Sequence, residues 1–156
     1  MRTLNPEYVK MICKKAEASP YFQLLSMKLL HFEIGASELK IEIQAAKHLQ
    51  PFGVVHGGVL ASLIDAAAFW AVFPEIDEDK GMTSVDLKLN FLAPATSGVL
   101  LAKGTRIKVG QTLSVGEAKI MDEKGKLLAY GSSTLITLPL STFQTDDVSA
   151  PRKFLA

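Results

Sequence analysis

One acidic residue stands alone in the most apolar segment of the chain. Asp65 is the only ionisable residue between Gly57 and Phe73, where its neighbours are mostly alanine, leucine, isoleucine and aromatic residues. Burying a carboxylate costs free energy unless the group is paired or hydrogen-bonded. Asp65 therefore either meets a structural partner or takes part in chemistry, and the residues that precede the segment favour chemistry.

A histidine and two glycines, His56-Gly57-Gly58, stand where a loop leads into the apolar segment, which is predicted to be a helix. Glycines allow another molecule to approach the backbone closely. The first N–H groups of a helix are unpaired and carry a partial positive charge. Such donors suit a developing oxyanion, for example the carbonyl of a thioester under attack. The simpler interpretation, that the glycines only allow a sharp turn, is less favoured because an acid follows on the same helix.

The spacing of these residues limits how they can act together. Asp65 follows His56 by nine residues. At ~1.5 Å and ~100° per residue, the two lie ~13 Å apart on opposite faces of one helix. Two chains related by a two-fold axis can instead place the helix start of one beside the acid of the other. The sequence therefore predicts a site that two subunits share.

The flanking patterns predict the elements that carry this site. Asn5-Pro6 is typical of a helix start, and Ser19-Pro20 ends that helix. The apolar segment from Tyr21 to Ile34 predicts the first strand. Strict alternation from Glu38 to Gln44 predicts a second, half-buried strand. A loop with Pro51 and Gly53 then leads into the central helix.

After the acidic turn at residues 74–80, strand patterns dominate. In the first, Val85, Leu87, Leu89 and Phe91 face one way, and Ser84 is predicted to face the other. The four predicted strands are Ser84–Phe91, Val99–Val109, Leu113–Met121 and Lys126–Leu138. Short turns between strands favour an antiparallel sheet. A sheet wrapped around the apolar helix, an α+β fold, is the economical arrangement. We expect one domain over residues 1–139 and a polar C-terminal tail over residues 140–156.

Composition excludes several classes of function. The 156 residues carry a formal net charge of +1 and no long basic run, so nucleic acid is not an expected partner. The single cysteine, Cys13, cannot form a disulfide within the chain, which favours a reducing compartment. The apolar stretch Val59–Phe73 is shorter than the ~20 residues of a membrane span and contains Asp65. No signal-peptide pattern precedes it. We therefore expect a cytoplasmic protein with no membrane segment.

The chain resembles a known family at several separated positions. These are Gln50, His56-Gly57-Gly58, Asp65, Gly81–Leu87, Asn90–Ala95 and Asp122–Leu127. Together they are similar to the hotdog-fold acyl-CoA thioesterases of the phenylacetate-degradation and human thioesterase-superfamily type. The resemblance extends from about Phe22 to Leu138. It implies a hotdog fold, in which an antiparallel sheet wraps one long central helix, and a homodimer with a continuous sheet, often doubled to a homotetramer.

The resemblance also assigns roles in hydrolysis of an acyl-CoA thioester. Asp65 corresponds to the family's acid, which acts as general base or nucleophile. The backbone N–H of Gly57 corresponds to the group that polarises the thioester carbonyl. Gln50 corresponds to an amide that helps place carbonyl or water, and Ser84 to a serine that supports the water. No metal and no bound cofactor are implied, because coenzyme A is part of the substrate.

Three further residues are predicted to contact the substrate. His56 shapes the turn and contacts the thioester, and Gly58 lies beside it. Phe69 occupies a position where some relatives carry threonine or serine one turn beyond the acid, which favours the branch that relies on Ser84. Arg106 is a candidate, with Lys108, for the coenzyme A phosphates.

Two other functions stay open at this point. The same fold could serve as a non-catalytic acyl-CoA-binding module, because fold does not determine function. It could also serve as an enoyl-CoA hydratase or dehydratase, in which histidine and acid act together. The combination of Gln50, Asp65 and Ser84 argues against the first, and the His-Gly-Gly pattern argues against the second.

Overall fold

The computed structural model describes residues 2–144 and 150–155. The helices are α1 (Pro6–Ala18), α2 (Pro20–Leu25), α3 (Ala45–His48) and α4 (Gly57–Val72), with 3-10 turns at Phe73–Glu75 and Leu140–Thr142. The strands are β1 (Met27–Glu33), β2 (Ala36–Glu42), β3 (Lys80–Phe91), β4 (Val99–Lys108), β5 (Leu113–Met121) and β6 (Leu127–Pro139). All neighbouring strands are antiparallel, in the order β1-β2-β4-β5-β6-β3.

The sheet encloses the central helix α4, which confirms the predicted hotdog fold. One side of α4 is fully buried against β2, β4, β5 and β6. The helix can approach closely because Gly104 and Gly116 have no side chains where the carbonyl oxygens of Ala67 and Ala68 lie. Ser37 Oγ donates to Ala67 O at 2.7 Å, so this buried carbonyl accepts a side-chain hydrogen bond in addition to the one within the helix.

Length and hydropathy alone would allow this helix to span a membrane. In the described part of the chain, Gly57–Glu75 is long enough and apolar enough, with a mean hydropathy of 1.5. Half of its most apolar window is nevertheless buried inside the chain. A core helix meets the same test, so the stretch is weak evidence for a membrane segment.

The N-terminal region differs from the predicted pattern in one element. Helix α1 begins as expected, with Asn5 Oδ1 accepting from Glu7 N at 3.0 Å. The predicted strand from Tyr21 to Ile34 is wrong in its first half, where α2 forms instead. Pro20 occupies the first position of α2, where proline is favoured, and Ser26 ends the helix with a left-handed φ of 52°. A continuous apolar run does not distinguish a short helix from a strand.

Strand β3 contains a bulge that overturns its predicted alternation. Ser84 pairs with Leu135 and Asp86 with Thr134, so Val85 is an extra residue and is 54% exposed. Because a bulge shifts the period of two, Ser84 and Leu87 both face α4. The sequence prediction placed them on opposite faces.

Strand β3 also lies at the end of the sheet. It pairs only with β6, and its other edge is free over residues 80–91 in the described structure. Consecutive strands β3 and β4 are therefore not neighbours. A long free edge with exposed apolar side chains, here Val85 and Phe91, is a template for pairing with another chain.

The C-terminal segment 150–155 lies against the N-terminus. Leu4 and Phe154 form an antiparallel bridge, and Asn5 N donates to Lys153 O at 2.9 Å. Lys153 itself is only 3% exposed, and its Nζ donates to Phe73 O at 2.6 Å and Ile76 O at 2.7 Å. Phe73 is the C-cap residue of α4 and Ile76 is that of the 3-10 turn that follows, so the amine caps both ends. The division into a domain of 1–139 and a tail of 140–156 stays a prediction, and residues 145–149 lie outside the described structure.

The buried amine should make stability depend on pH. Burial lowers the pKa of Lys153 to about 8, although the charges of Glu78 and Asp77 oppose this and that of Arg2 adds to it. The unfolded chain keeps this proton up to about pH 10.5, so the free energy of unfolding should rise by roughly 1–2 kcal/mol between about pH 7.5 and 9.5. The pKa of Tyr8, raised by burial to about 12, keeps that neighbour neutral in this range.

Replacing the amine tests this prediction. Lys153→Met keeps the length of the side chain and removes the titrating group. Urea unfolding across the same pH range should show the rise in the parent and not in the variant. Equal pH slopes for the two proteins would show that Lys153 is not the group responsible.

Candidate active site

The carboxylate of Asp65 is held by two hydroxyl groups. Oδ1 accepts from Ser84 Oγ on β3 and from Ser133 Oγ on β6, each at 2.7 Å. Within residues 2–144 and 150–155, no group donates to Oδ2. One oxygen is therefore fixed by the protein and the other is available to a water or a substrate.

Two strands and the helix place these three side chains. Ser133 is fully buried and lies between Gly131 and Leu135 on the inward face of β6. The bulge at Val85 turns Ser84 inward on the neighbouring strand. Asp65 lies in the middle of α4, where its side chain is only partly covered. Charge-assisted hydrogen bonds of this kind fix the orientation of a carboxylate.

The start of α4 has the geometry of an anion site. His56 is the N-cap residue, and its Nδ1 accepts from Gly58 N at 2.8 Å. The N–H of Gly57 has no acceptor among the described residues. The histidine thus uses its ring to hold the turn, and the Gly57 amide is left as the free donor at the positive end of the helix.

Gln50 lies in a tight turn beside this helix start. Its Oε1 accepts from Phe52 N at 2.6 Å, and its backbone N donates to Val54 O at 2.8 Å. Gly53 completes the turn with a φ of 78°. These bonds fix the side-chain amide through its oxygen, so its NH₂ group is available as a donor.

Within one chain, the predicted site residues fall into two separate groups. Gln50 and Gly57 line a cavity of about 430 Å³ with Leu60 and Phe91. Asp65 lines a different cavity of about 440 Å³. Asp65 follows Gly57 by eight positions along the helix, which corresponds to ~12 Å along the axis. The structure brings Asp65 and Ser84 together, and it does not bring Gln50 or Gly57 to them in the same chain.

Aromatic side chains dominate the Asp65 cavity. Phe69 follows Asp65 by one turn, and its ring packs edge-on to Trp70 with centroids 5.1 Å apart. The apolar lining is Phe22, Met27, Ala61, Ala66, Phe69, Trp70 and Leu87. Gly58, predicted to contact the substrate, is exposed at the helix start and lines neither cavity. Arg106, a candidate for the coenzyme A phosphates, forms an ion pair with Glu75 at 2.8 Å, and its role in binding coenzyme A stays a prediction.

Comparison with known proteins identifies the family of this fold and site. The model of the Thioesterase superfamily matches residues 52–129, half of the chain, including the helix start and Asp65. The chain belongs to the thioesterase superfamily. A 1,4-dihydroxy-2-naphthoyl-CoA hydrolase of Listeria monocytogenes is 30% identical over 72% of this chain and 91% of its own length.

Other members of the thioesterase superfamily are similar over most of the domain. The mouse acyl-coenzyme A thioesterase 13 is 31% identical over 62% of this chain and 68% of its own. The crystal structure of a Haemophilus influenzae thioesterase superposes with a TM-score of 0.78 at 25% identity, covering 90% of this chain and 96% of that one. The prediction of a thioester hydrolase is confirmed at this level.

Sequence reasoning missed one residue of this candidate site. Ser133 contacts Asp65 as closely as Ser84 does, yet it lies 68 residues away in sequence. A signal was present, because Ser133 occupies an inward position in the alternation of β6 between Gly131 and Leu135. A serine at a buried strand position needs a hydrogen-bond partner.

Among the described residues, no cluster of metal-binding side chains lies at the site. Over residues 2–144 and 150–155, no three histidine, cysteine, aspartate or glutamate side chains come close enough to hold a metal ion. His48 is fully buried but structural, since its Nδ1 accepts from Gln44 N and its Nε2 donates to Leu25 O, both at 2.9 Å. The absence of metal and cofactor from the reaction stays a prediction.

Proposed function

We propose that this protein hydrolyses an acyl-CoA thioester to a free carboxylic acid and coenzyme A. The observation that carries the proposal is the Asp65 carboxylate, oriented by Ser84 and Ser133 with one oxygen free, at an apolar cavity. The names of two relatives, a naphthoyl-CoA hydrolase and an acyl-coenzyme A thioesterase, support coenzyme A thioesters as the substrates.

In this reaction Asp65 activates water. Oδ2 takes a proton from a water molecule as the water oxygen bonds to the thioester carbon. The carbonyl oxygen gains negative charge and accepts the N–H of Gly57 from the partner subunit, assisted by the Gln50 amide. The carbon–sulfur bond then breaks, and the leaving thiolate takes the proton from Asp65. General base catalysis contributes ~10²–10⁴-fold and one oxyanion donor ~10²–10³-fold.

A second route to the same products uses Asp65 as a nucleophile. Asp65 itself can attack the thioester carbon and expel the thiolate, giving a mixed anhydride that water then hydrolyses. Label found in the Asp65 carboxylate after a single turnover in ¹⁸O-labelled water would establish the anhydride route. Water that attacks the Asp65 carboxyl carbon of the anhydride leaves its oxygen there, whereas in the general-base route all of the label goes to the product acid.

The proposed site requires a homodimer. The free edge of β3 offers twelve residues for pairing with the same strand of a second chain. A two-fold axis at that edge would run the two α4 helices antiparallel, with Asp65 of one near Gly57 of the other. A further doubling to a homotetramer and a cytoplasmic location are part of the same proposal.

Release of free thiol tests the proposed function. A panel of aromatic, short-chain and long-chain acyl-CoA substrates is incubated with the parent protein, and free coenzyme A is followed with a thiol reagent. We expect release above the uncatalysed rate, with the best substrate identifying the acyl class. No release from any member would exclude acyl-CoA hydrolysis over that range.

A further inference from the structure

The Asp65 cavity contains a pair of hydroxyl groups that the mechanism does not use. Tyr21 Oη and Ser62 Oγ lie 2.7 Å apart. Both line the cavity, Tyr21 from α2 and Ser62 from α4. With Asp65 they are the three polar side chains in a lining that is otherwise apolar and rich in aromatic rings.

The hydrogen bonds of this pair fix which atom is the donor. Ser62 Oγ donates to Gly58 O at 2.8 Å, and a carbonyl oxygen can only accept. A serine hydroxyl has a single proton, so Ser62 must accept from Tyr21. The Tyr21 hydroxyl proton is therefore used in the hydrogen bond to Ser62 Oγ. Tyr21 Oη is left with lone pairs only, and it can bind a further hydrogen-bond donor but cannot donate to an acceptor.

The pair lies within reach of the reacting carbon. Ser62 precedes Asp65 by three residues, which places the two on the same face of α4, about 5–6 Å apart at Cβ. An acyl group whose carbonyl carbon is held at the Asp65 carboxylate and which occupies this cavity would lie beside Ser62 and Tyr21, because both line it. The rings of Phe69 and Trp70 form an aromatic wall beside it.

We propose that the Tyr21–Ser62 pair selects acyl groups that carry a hydrogen-bond donor, such as a hydroxyl on an aromatic ring. This inference rests on the proposed function, because it concerns the acyl group of the same substrate. An aromatic ring suits a cavity lined by the rings of Phe22, Phe69 and Trp70, and a ring hydroxyl supplies the proton that Tyr21 Oη can accept. A methoxy group in the same place has no proton to donate, so it cannot form a hydrogen bond with Tyr21 Oη, which has only lone pairs available.

Paired substrates test the inference. The ratio of kcat/KM for hydroxybenzoyl-CoA over methoxybenzoyl-CoA is measured for the 2-, 3- and 4-substituted rings. For at least one position we expect the parent to prefer the hydroxyl by about two- to tenfold, the range for one neutral hydrogen bond. In Tyr21→Phe this ratio should fall to that expected without the contact, close to one. In Ser62→Ala the Tyr21 proton is released, so the preference should move toward methoxy.

Tyr130→Phe is the matched control, because Tyr130 is an exposed tyrosine on β6 that does not line this cavity. Its ratio should equal that of the parent. Because each ratio compares two substrates in one protein, a general loss of folding or activity cancels. Hydrolysis by the parent with the same ratio in Tyr21→Phe would overturn the inference and leave the proposed function intact.

A binding measurement keeps the inference testable without turnover. In hydroxyphenacyl-CoA and methoxyphenacyl-CoA a methylene separates sulfur from carbonyl, so neither can be hydrolysed as a thioester. Calorimetric titration should show tighter binding of the hydroxyl analogue to the parent and no difference for Tyr21→Phe. If no thiol is released but this binding pattern is observed, the proposed hydrolase function is wrong and the proposed selectivity of the Tyr21–Ser62 pair is supported. Equal affinities in the parent would overturn the selectivity.

Discussion

Asp65→Asn should lower kcat by about 10²–10⁴-fold, the contribution expected of a general base. Asparagine has nearly the same shape as aspartate, and its amide oxygen can still accept from Ser84 and Ser133. The amide cannot take a proton from water, so the variant should fold and bind substrate but not turn it over. The measurement is steady-state thiol release with the best substrate of the panel.

Asp79→Asn controls for this substitution. Asp79 lies in the exposed turn before β3, and its contact to Leu140 is made by its backbone carbonyl, which the change leaves in place. Activity of Asp79→Asn should equal that of the parent. A kcat for Asp65→Asn within a few-fold of the parent would show that Asp65 is neither base nor nucleophile.

Gly57→Pro should lower kcat/KM by about 10²–10³-fold, the cost of removing one oxyanion donor. Gly57 is the first residue of α4, where proline is favoured, and its N–H has no protein acceptor in the described structure to lose. The preceding residue, His56, has φ −63° and ψ 137°, which a following proline permits. The substitution should therefore remove the catalytic donor without breaking the helix.

Gly57→Ala is the matched control, since it adds the same Cβ and keeps the N–H. In both variants the new Cβ would lie 2.9 Å from Phe91 Cζ, so the Phe91 ring must shift in the same way in each. The steric effect of this Cβ is thus common to both. If alanine and proline at position 57 give the same kcat/KM, the amide does not polarise the carbonyl.

Most of the architecture could be predicted from local patterns. The alternation of β2 and the apolar run of α4 each correspond to one element, because burial alone determines the pattern. The segment after Pro20 could not be assigned, since Tyr21 to Leu25 is apolar enough for strand or helix and the left-handed Ser26 is not visible in the pattern. That error concealed the role of Tyr21, which lies in α2 and lines the cavity.

The site was predictable where residues lie close in sequence and less so where strands meet. His56, Gly57 and Asp65 occupy one helix, so their spacing alone predicted two separate half-sites. Ser84 depended on the resemblance, because strict alternation would turn it outward and only the bulge at Val85 turns it to Asp65. Ser133 is a long-range contact made by the pairing of β3 with β6, which a pattern in one strand does not reveal.

The central claim is that Asp65 of one subunit acts with Gly57 of the other, and subunit complementation tests it most directly. Asp65→Asn and Gly57→Pro, each nearly inactive alone, are mixed in equal amounts under conditions that exchange subunits, with two affinity tags to verify mixed dimers. Each mixed dimer has one site with both residues intact. We therefore expect about a quarter of the parental activity to return. Mixed dimers no more active than the separate variants would show that both residues serve the same site from a single chain.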